Sequence, residues 1–141
     1  MSDGESRAGS ITLKLRGDEA VHRAVAAAQA FADDHRLAGQ RAARLAIIVE
    51  ELVTNLVEHG GVAGGDLIEL TLRRDAAGIV LVLTDPGTAF DPRLDRPTDA
   101  TAPDRGGGAG IDLVKAWATI LSYGSDRGRN RIELSIPIMK V

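Results

Sequence analysis

A glutamate and an asparagine stand four residues apart in the segment EELVTNLVEHG, at Glu51 and Asn55. On a helix, residues at this spacing are neighbours on one face. A carboxylate can act as a general base and a carboxamide oxygen can bind a hard cation, so the pair could activate a hydroxyl beside a metal ion. The alternative is an ordinary solvated face, but such faces usually carry Glu, Lys or Arg, whereas Thr54 and Asn55 are poor helix formers.

Two adjacent glutamates precede this asparagine, and only one of them can share its face. Glu50 lies about 100° round the helix from Glu51 and is five residues from Asn55. We therefore assign the general-base position to Glu51.

A further acid, Asp85, ends an apolar segment and is followed at once by Pro86 and Gly87. An acid in this position commonly starts a tight turn. Loops beyond strand ends are also where folds place side chains that recognise ligands. Asp85 taken alone leaves both interpretations open.

Four glycines lie within residues 105–114, which read RGGGAGIDLV. Each ordered glycine costs roughly 0.5–1 kcal/mol of chain entropy, but a helix that starts here exposes backbone N–H groups that an anion can approach closely. The alternative, a flexible loop beside a helix, is weaker next to Arg105. Neither P-loop nor GxGxxG spacing is present, so the segment predicts a different type of phosphate-binding loop.

The hydrophobic pattern predicts the elements that must position these residues. We expect strands at 11–16, 67–74 and 78–85, helices at 19–35, 40–59 and about 111–118, and a final hairpin with its turn near 126–129. Residues 1–10 are expected to form a flexible tail and residues 86–108 a lid. The predicted fold is α+β: one domain over residues 11–141, a two-layer sandwich with a mostly antiparallel, mixed sheet and helices on one face.

Composition limits the classes of function. The 141 residues carry a net charge of −3 and only 3% aromatic residues, which disfavours binding to nucleic-acid backbones or stacked bases. The lack of cysteine excludes disulfides, thiol catalysis and cysteine metal sites, and suits a reducing cytosol. No apolar stretch has the length of a signal-peptide core at the start or of a membrane span elsewhere. We expect a cytoplasmic protein without a direct nucleic-acid or membrane partner.

Three motifs together resemble the N, G1 and G2 boxes of the Bergerat-fold (GHKL-type) ATPases, which include DNA gyrase, heat-shock chaperones and histidine kinases. They are ELVTNLVEHG (51–60), DPGTAFDP (85–92) and GGAGIDLV (107–114). In its short single-domain form, its FDP motif and its ending GRNRIELSIP, the chain is most similar to the anti-sigma factor serine kinases of bacteria. The similarity covers nearly the whole chain from about residue 11, and three boxes in this order are a specific signal.

The resemblance implies that the chain binds ATP and Mg²⁺. By this resemblance Glu51 matches the general base, and Asn55 matches the Mg²⁺ ligand. Asp85 would accept a hydrogen bond from the adenine amino group, and Gly87 would keep the base pocket open. Arg105 would contact the γ-phosphate.

Further nucleotide contacts are also implied, with backbone N–H groups of residues 106–111 at the phosphates and the segment 92–106 closing as a lid. The other residues assigned to the nucleotide are His59, Phe90, Gly106, Gly107, Gly108, Ala109, Gly110, Ile111 and Asn130. Two positions depart from the family pattern: Ala89 replaces a second glycine, and Asn130 stands where many members have an adenine-side threonine.

Three functional hypotheses follow. The first is a protein serine kinase and anti-sigma factor, which phosphorylates a STAS-type anti-anti-sigma partner and holds a sigma factor when that partner is unavailable. For such a protein the resemblance also implies a homodimer through the face that includes the first strand and helix, where residues 11–16 either pair across the interface or form an ordinary edge strand. The second is a nucleotide-binding regulatory module, which would not need Glu51. The third, a histidine-kinase catalytic domain, needs a phosphoacceptor histidine on a separate helical hairpin, and none of His22, His35 and His59 lies on one.

Overall fold

The computed structural model describes residues 4–7, 9–37, 39–94 and 108–137. Three helices, six strands and one short 3-10 turn lie in these ranges. In chain order they are β1 (Gly4–Arg7), β2 (Ser10–Arg16), α1 (Ala20–Asp34), α2 (Gln40–His59), β3 (Leu67–Arg74), β4 (Gly78–Asp85), the 3-10 turn (Pro92–Leu94), α3 (Gly108–Trp117), β5 (Thr119–Asp126) and β6 (Arg129–Pro137).

The six strands form one sheet in the order β1-β2-β3-β4-β6-β5. The predicted α+β class is confirmed, but every pairing between the described strands is antiparallel, so these strands do not form the mixed sheet that we expected. Short turns join β1 to β2, β3 to β4 and β5 to β6, and such turns connect antiparallel neighbours. Because β5 lies at the edge, β6 returns beside β4 and brings Asn130 opposite Asp85.

An aliphatic core lies between the sheet and the helices. Small residues of α1, Ala20, Ala24 and Ala28, are buried at helical spacing, which lets α1 pack closely against its neighbours. The buried face of α2 consists of Leu45, Ile48, Val49, Leu52 and Val53. None of the helices within the described ranges is long and apolar enough to cross a membrane. With its apolar face buried, α2 presents Glu51 and Asn55 at the border of the core, where both are partly buried.

The bounds of α2, β3 and β4 agree with the sequence prediction, but α3 begins at Gly108, three residues before the predicted start. The N–H groups of the first helical turn have no intrahelical partner. Glycines within that turn therefore leave these N–H groups as accessible as glycines that precede the helix would. The glycine segment is therefore partly helical.

The N-terminal residues also differ from the prediction. Residues Gly4–Arg7, expected in a tail, form β1 and pair with β2 from Gly4↔Leu13 to Arg7↔Ser10. This strand has no apolar alternation because its ladder needs only backbone groups. As a result, β2 is paired on both sides and β1 forms the sheet edge.

The final hairpin turns at Arg127 and Gly128, which have φ values of 53° and 78°. Two successive left-handed residues are typical of the type I′ turn that closes two-residue hairpins. The predicted turn near 126–129 is confirmed.

Leu81 is fully buried on the central strand β4, so its truncation tests the position of the core. Leu81→Ala should lower the free energy of unfolding by about 2–5 kcal/mol, because it removes buried methyl groups and leaves a cavity. Urea unfolding followed by circular dichroism measures this loss. The same change at Leu121, whose side chain is 49% exposed, should cost less than about 0.5 kcal/mol. Equal losses at the two positions would contradict the described core.

Candidate functional site

The end of β4 and the start of β6 bring Asp85 and Asn130 together. They are the two buried polar residues among those described, with 5% and 3% of their surfaces exposed. Asn130 Nδ2 donates hydrogen bonds to Asp85 Oδ1 at 3.0 Å and to the carbonyl oxygen of Gly87 at 2.9 Å. The Gly87 N–H donates to the same Asp85 oxygen at 2.7 Å. Asp85 therefore does start a turn, and its carboxylate also lies in a buried polar corner.

The turn after β4 is docked on the C-terminal end of α2. The Thr88 N–H donates to the Gly60 carbonyl oxygen at 2.7 Å. A Cβ added to Gly87 would overlap that same carbonyl and would lie 3.0 Å from Val62 Cγ2. Glycine is thus required at position 87 by close approach of two backbone segments, whereas Ala89 is exposed.

Glu51 of α2 lies directly against the first turn of α3. A Cβ added to Gly110 would overlap Glu51 Oε1, so the carboxylate occupies the space that a side chain at position 110 would fill. Glu50 is exposed instead and lines a cleft beside α1 with Asp18 and His22. The two glutamates face different helices, as their angular separation predicts, and Glu51 is the one that faces the glycine segment.

Asn55 lies one turn beyond Glu51 on α2 and is partly buried. No residue within the described ranges hydrogen-bonds its side chain, which leaves the amide oxygen available as the kind of ligand that hard cations prefer. His59 lies in the last, exposed turn, where its Nε2 is 3.9 Å from Glu58 Oε1. The structure thus groups Asn55 with Glu51, and it places His59 at the exposed end of the helix.

The N-terminal turn of α3 is formed by residues 108–110. Ile111 follows with its side chain buried in the core, so that only its backbone can face a ligand. The free N–H groups of a first helical turn and the helix dipole together favour an anion there. Three predicted site residues lie outside the described residues: Arg105, Gly106 and Gly107.

Comparison with known proteins identifies the family. Residues 16–136 match the histidine kinase-like ATPase domain. The chain belongs to this family. It is also 32% identical over 98 residues to the serine/threonine-protein kinase BtrW of Bordetella bronchiseptica, a match that covers 64% of this chain and 67% of that protein. The family match contains all three motifs, and the predicted Bergerat fold is confirmed.

Sequence analysis missed two contacts of this ATPase domain, in the residues that follow the Gly87 turn. The Phe90 N–H donates to the phenolic oxygen of Tyr123 at 2.8 Å. Hydrogen bonds from the Arg93 side chain and N–H hold the pKa of Asp91 below its ordinary value, and the Arg93 side-chain bond is the larger cause. The only sign of this contact in the sequence is that Tyr123 is the single tyrosine. The sequence does not indicate that its hydrogen-bond partner lies 33 residues earlier.

Arg129 is a further residue that sequence analysis missed. Its guanidinium donates to the Leu67 carbonyl oxygen at 3.0 Å and to Thr84 Oγ1 at 2.7 Å. These bonds connect the start of β6 to the start of β3 and the end of β4. The strand ends that carry Asp85 and Asn130 are therefore held by a second set of contacts.

Burial raises the pKa of Tyr123 above its ordinary value of 10.0, and the nearby Asp85 and Asp91 carboxylates add to the shift. A raised pKa means that folding favours the neutral phenol, so this contribution to stability is complete below pH 10 and is lost as the pH rises through the folded pKa. Near-ultraviolet titration of the tyrosine should give a midpoint above 10.0 in the folded domain. In urea the midpoint should return to about 10. A folded midpoint at or below the urea value would contradict the described environment.

Proposed function

We propose that this ATPase domain is an ATP-dependent protein serine kinase that also acts as an anti-sigma factor. The observation that carries the proposal is that the candidate catalytic, metal-binding and base-binding residues all lie on or beside α2. Glu51 lies against the first turn of α3, Asn55 lies one turn away, and the Asp85 corner is docked on the end of the same helix. The name of the relative BtrW, a serine/threonine-protein kinase, supports the same reaction class.

Asp85 is proposed to recognise the adenine base. Its Oδ1 receives hydrogen bonds from Gly87 and Asn130, whereas Oδ2 receives none from the residues that the structure describes. A carboxylate oxygen accepts hydrogen bonds, so Oδ2 suits the exocyclic amino group of adenine. A Cβ at Gly87 would overlap the Gly60 carbonyl oxygen and lie 3.1 Å from Asp85 Oδ1, so the absence of a side chain there lets the turn keep Asp85 in this position.

The first turn of α3 is proposed to hold the phosphates through its backbone N–H groups. The amide oxygen of Asn55 fits Mg²⁺, because magnesium is bound by oxygen ligands and usually by few protein groups together with substrate phosphates. When bound, the ion supplies positive charge to the phosphates. Arg105 is proposed to contact the γ-phosphate on the strength of the motif.

Glu51 is proposed as the general base. A serine hydroxyl oxygen of the partner attacks the γ-phosphorus, the bond between that phosphorus and the bridging oxygen breaks, and ADP leaves. The Glu51 carboxylate takes the hydroxyl proton. Its position at the first turn of α3 supports this role, because the same turn is the proposed site of the phosphates.

The proposed phosphate acceptor is a STAS-type anti-anti-sigma protein in the cytoplasm, and the proposed second partner is a sigma factor. The resemblance of the sequence motifs to those of anti-sigma factor kinases supports both partners. We further propose a homodimer through the face that includes the N-terminal strands and α1, where β1 presents a sheet edge. An exposed edge can pair with another chain.

ATP binding and phosphate transfer separate the roles of Asn55 and Glu51. Calorimetry with Mg²⁺ should show that Asn55→Ala weakens ATP binding by about tenfold or more, because the variant loses one protein ligand of the ion. A tenfold change in the dissociation constant corresponds to about 1.4 kcal/mol. Glu51→Gln should bind ATP normally but transfer phosphate to a STAS-type protein about 10²–10⁴-fold more slowly.

Glu50→Gln is the matched control, since it makes the same chemical change at the neighbouring exposed residue. It should change neither quantity. Undiminished transfer by Glu51→Gln would reject the base assignment. Tight ATP binding without transfer by the wild type would favour the regulatory-module hypothesis instead.

Gly110→Ala tests the contact between α3 and the proposed base. The added Cβ would overlap Glu51 Oε1 and displace the carboxylate, so phosphate transfer should fall by about tenfold or more. The substitution should not weaken the helix, since alanine is the better helix former by about 1 kcal/mol. Gly124→Ala, where a Cβ meets open space, should leave transfer unchanged. Equal rates for the two variants would contradict the close approach of Glu51.

A further inference from the structure

We propose that Arg44, which lies over the ring of Trp117, is a docking point for a carboxylate of the protein that receives the phosphate. Arg44 then determines which acceptor is used and takes no part in ATP binding or in proton transfer. The proposal rests on the proposed kinase function, because it names a chemical feature of the acceptor.

The Arg44 guanidinium is held by stacking and not by hydrogen bonds. Its central carbon lies 5.1 Å from the centroid of the Trp117 ring, and such a contact stabilises a cation over an aromatic face. Arg44 Nε is the one buried side-chain nitrogen or oxygen atom, among the residues that the structure describes, without a hydrogen-bond partner. None of these residues accepts a hydrogen bond from its terminal nitrogens. Folding therefore removes part of this cation from water and provides no carboxylate in exchange.

The neighbouring sequence contains no acid that could pair with Arg44. No Asp or Glu stands three or four residues from it on α2, or within four residues of Trp117 on either side. Arg23 and Arg131, by contrast, each pair with a glutamate nearby in the chain. Guanidinium N–H groups match the two oxygens of a carboxylate, and the attraction is stronger where water is partly excluded. Arg44 therefore suits a carboxylate that comes from another protein.

Arg44 and the proposed base Glu51 both face α3. They are seven residues apart on α2, which is about 10 Å along the helix axis. Midway between these two contacts lie Ile47 of α2, which is partly buried, and Leu113 of α3, which is 39% exposed. Apolar side chains between polar anchors suit a protein surface and offer nothing to a free anion. The arrangement fits an acceptor whose serine reaches Glu51 while a carboxylate, about 10 Å away, reaches Arg44.

The docking point should act on binding of the acceptor and not on the chemical step. An interaction that is equally strong in the ground state and the transition state lowers KM and leaves kcat unchanged. A serine without a carboxylate at the required distance could still reach Glu51, but its protein would bind more weakly. Arg44 thus selects among acceptors that all present a serine.

The test measures phosphate transfer from ATP with Mg²⁺ to a purified STAS-type anti-anti-sigma protein. Arg44→Met keeps a long side chain that can pack against the Trp117 ring, but it has no charge and no donor. This variant should raise KM for the acceptor by about tenfold, with kcat and the dissociation constant of ATP unchanged.

A charge exchange identifies the group that Arg44 binds. Acidic residues on the acceptor, within about 10 Å of its phosphorylated serine, are replaced one at a time by arginine. Arg44→Glu should raise KM with the unaltered acceptor at least as much as Arg44→Met does. One of the acceptor variants should bring the KM of Arg44→Glu back to within about threefold of the wild-type value, because the pair is restored with its charges reversed.

Arg41→Met is the matched control, since it makes the same chemical change at an exposed arginine one turn earlier on α2. It should leave KM and kcat at their wild-type values. Thermal melts by circular dichroism confirm that each variant is folded, and Arg44→Met serves if Arg44→Glu does not fold.

Three results would overturn the proposal. An unchanged KM in folded Arg44→Met, or an equal rise in Arg41→Met, would show that Arg44 does not bind the acceptor. A fall in kcat without a change in KM would leave Arg44 a residue that only holds α2 against α3. Failure of every acceptor variant to rescue folded Arg44→Glu would reject a carboxylate as the group that is bound.

Calorimetry of acceptor binding in the presence of ADP separates this proposal from the kinase. If the wild type transfers no phosphate but binds the acceptor, and Arg44→Met weakens that binding by about tenfold, the kinase is rejected and the docking point is supported. Wild-type protein that neither binds nor phosphorylates the acceptor would overturn both proposals. An effect of Arg44→Met confined to sigma-factor binding or to self-association would assign the site to that partner and overturn the acceptor.

Discussion

The contact between the end of α2 and the turn after β4 is the constraint on which the site depends. The Gly60 carbonyl oxygen accepts the Thr88 N–H at 2.7 Å, and only the missing side chain of Gly87 allows the two backbones to approach. Because the apolar face of α2 is buried over the sheet, this contact holds the polar residues of α2 in a fixed relation to Asp85. Two segments distant in the chain thereby form one site.

The elements of the fold that could be predicted from the sequence are those with a periodic pattern of apolar side chains. The helix α2 and the strands β3 and β4 have long, regular apolar patterns, and their bounds agree with the prediction. The strand β1 was not predicted because its pairing uses backbone groups and leaves no mark on residue types. The start of α3 was placed too late since glycines were interpreted as a loop, although a first helical turn tolerates them.

The candidate site also has a part that could be predicted from the sequence and a part that could not. The angular separation of Glu50 and Glu51 follows from helix geometry alone, and the structure places them on different sides of α2. The bonds between Asn130 and Asp85 could not be predicted, because they depend on the register of β4 against β6. That register exists only because the chain passes through α3 and reaches β5 at the sheet edge before it returns.

The pair α2 and α3 is held at two points, which explains how Glu51 keeps its position. Glu51 lies against Gly110, and the Arg44 guanidinium lies over the ring of Trp117, 5.1 Å from its centroid. Arg44 and Glu51 are seven residues apart on α2, and Gly110 and Trp117 are seven apart on α3, which is about two helical turns in each case. The contacts run in opposite directions along the two helices, so neither helix can slide along the other without breaking both contacts. The position of the carboxylate relative to the first turn of α3 is therefore a property of the helix pair itself.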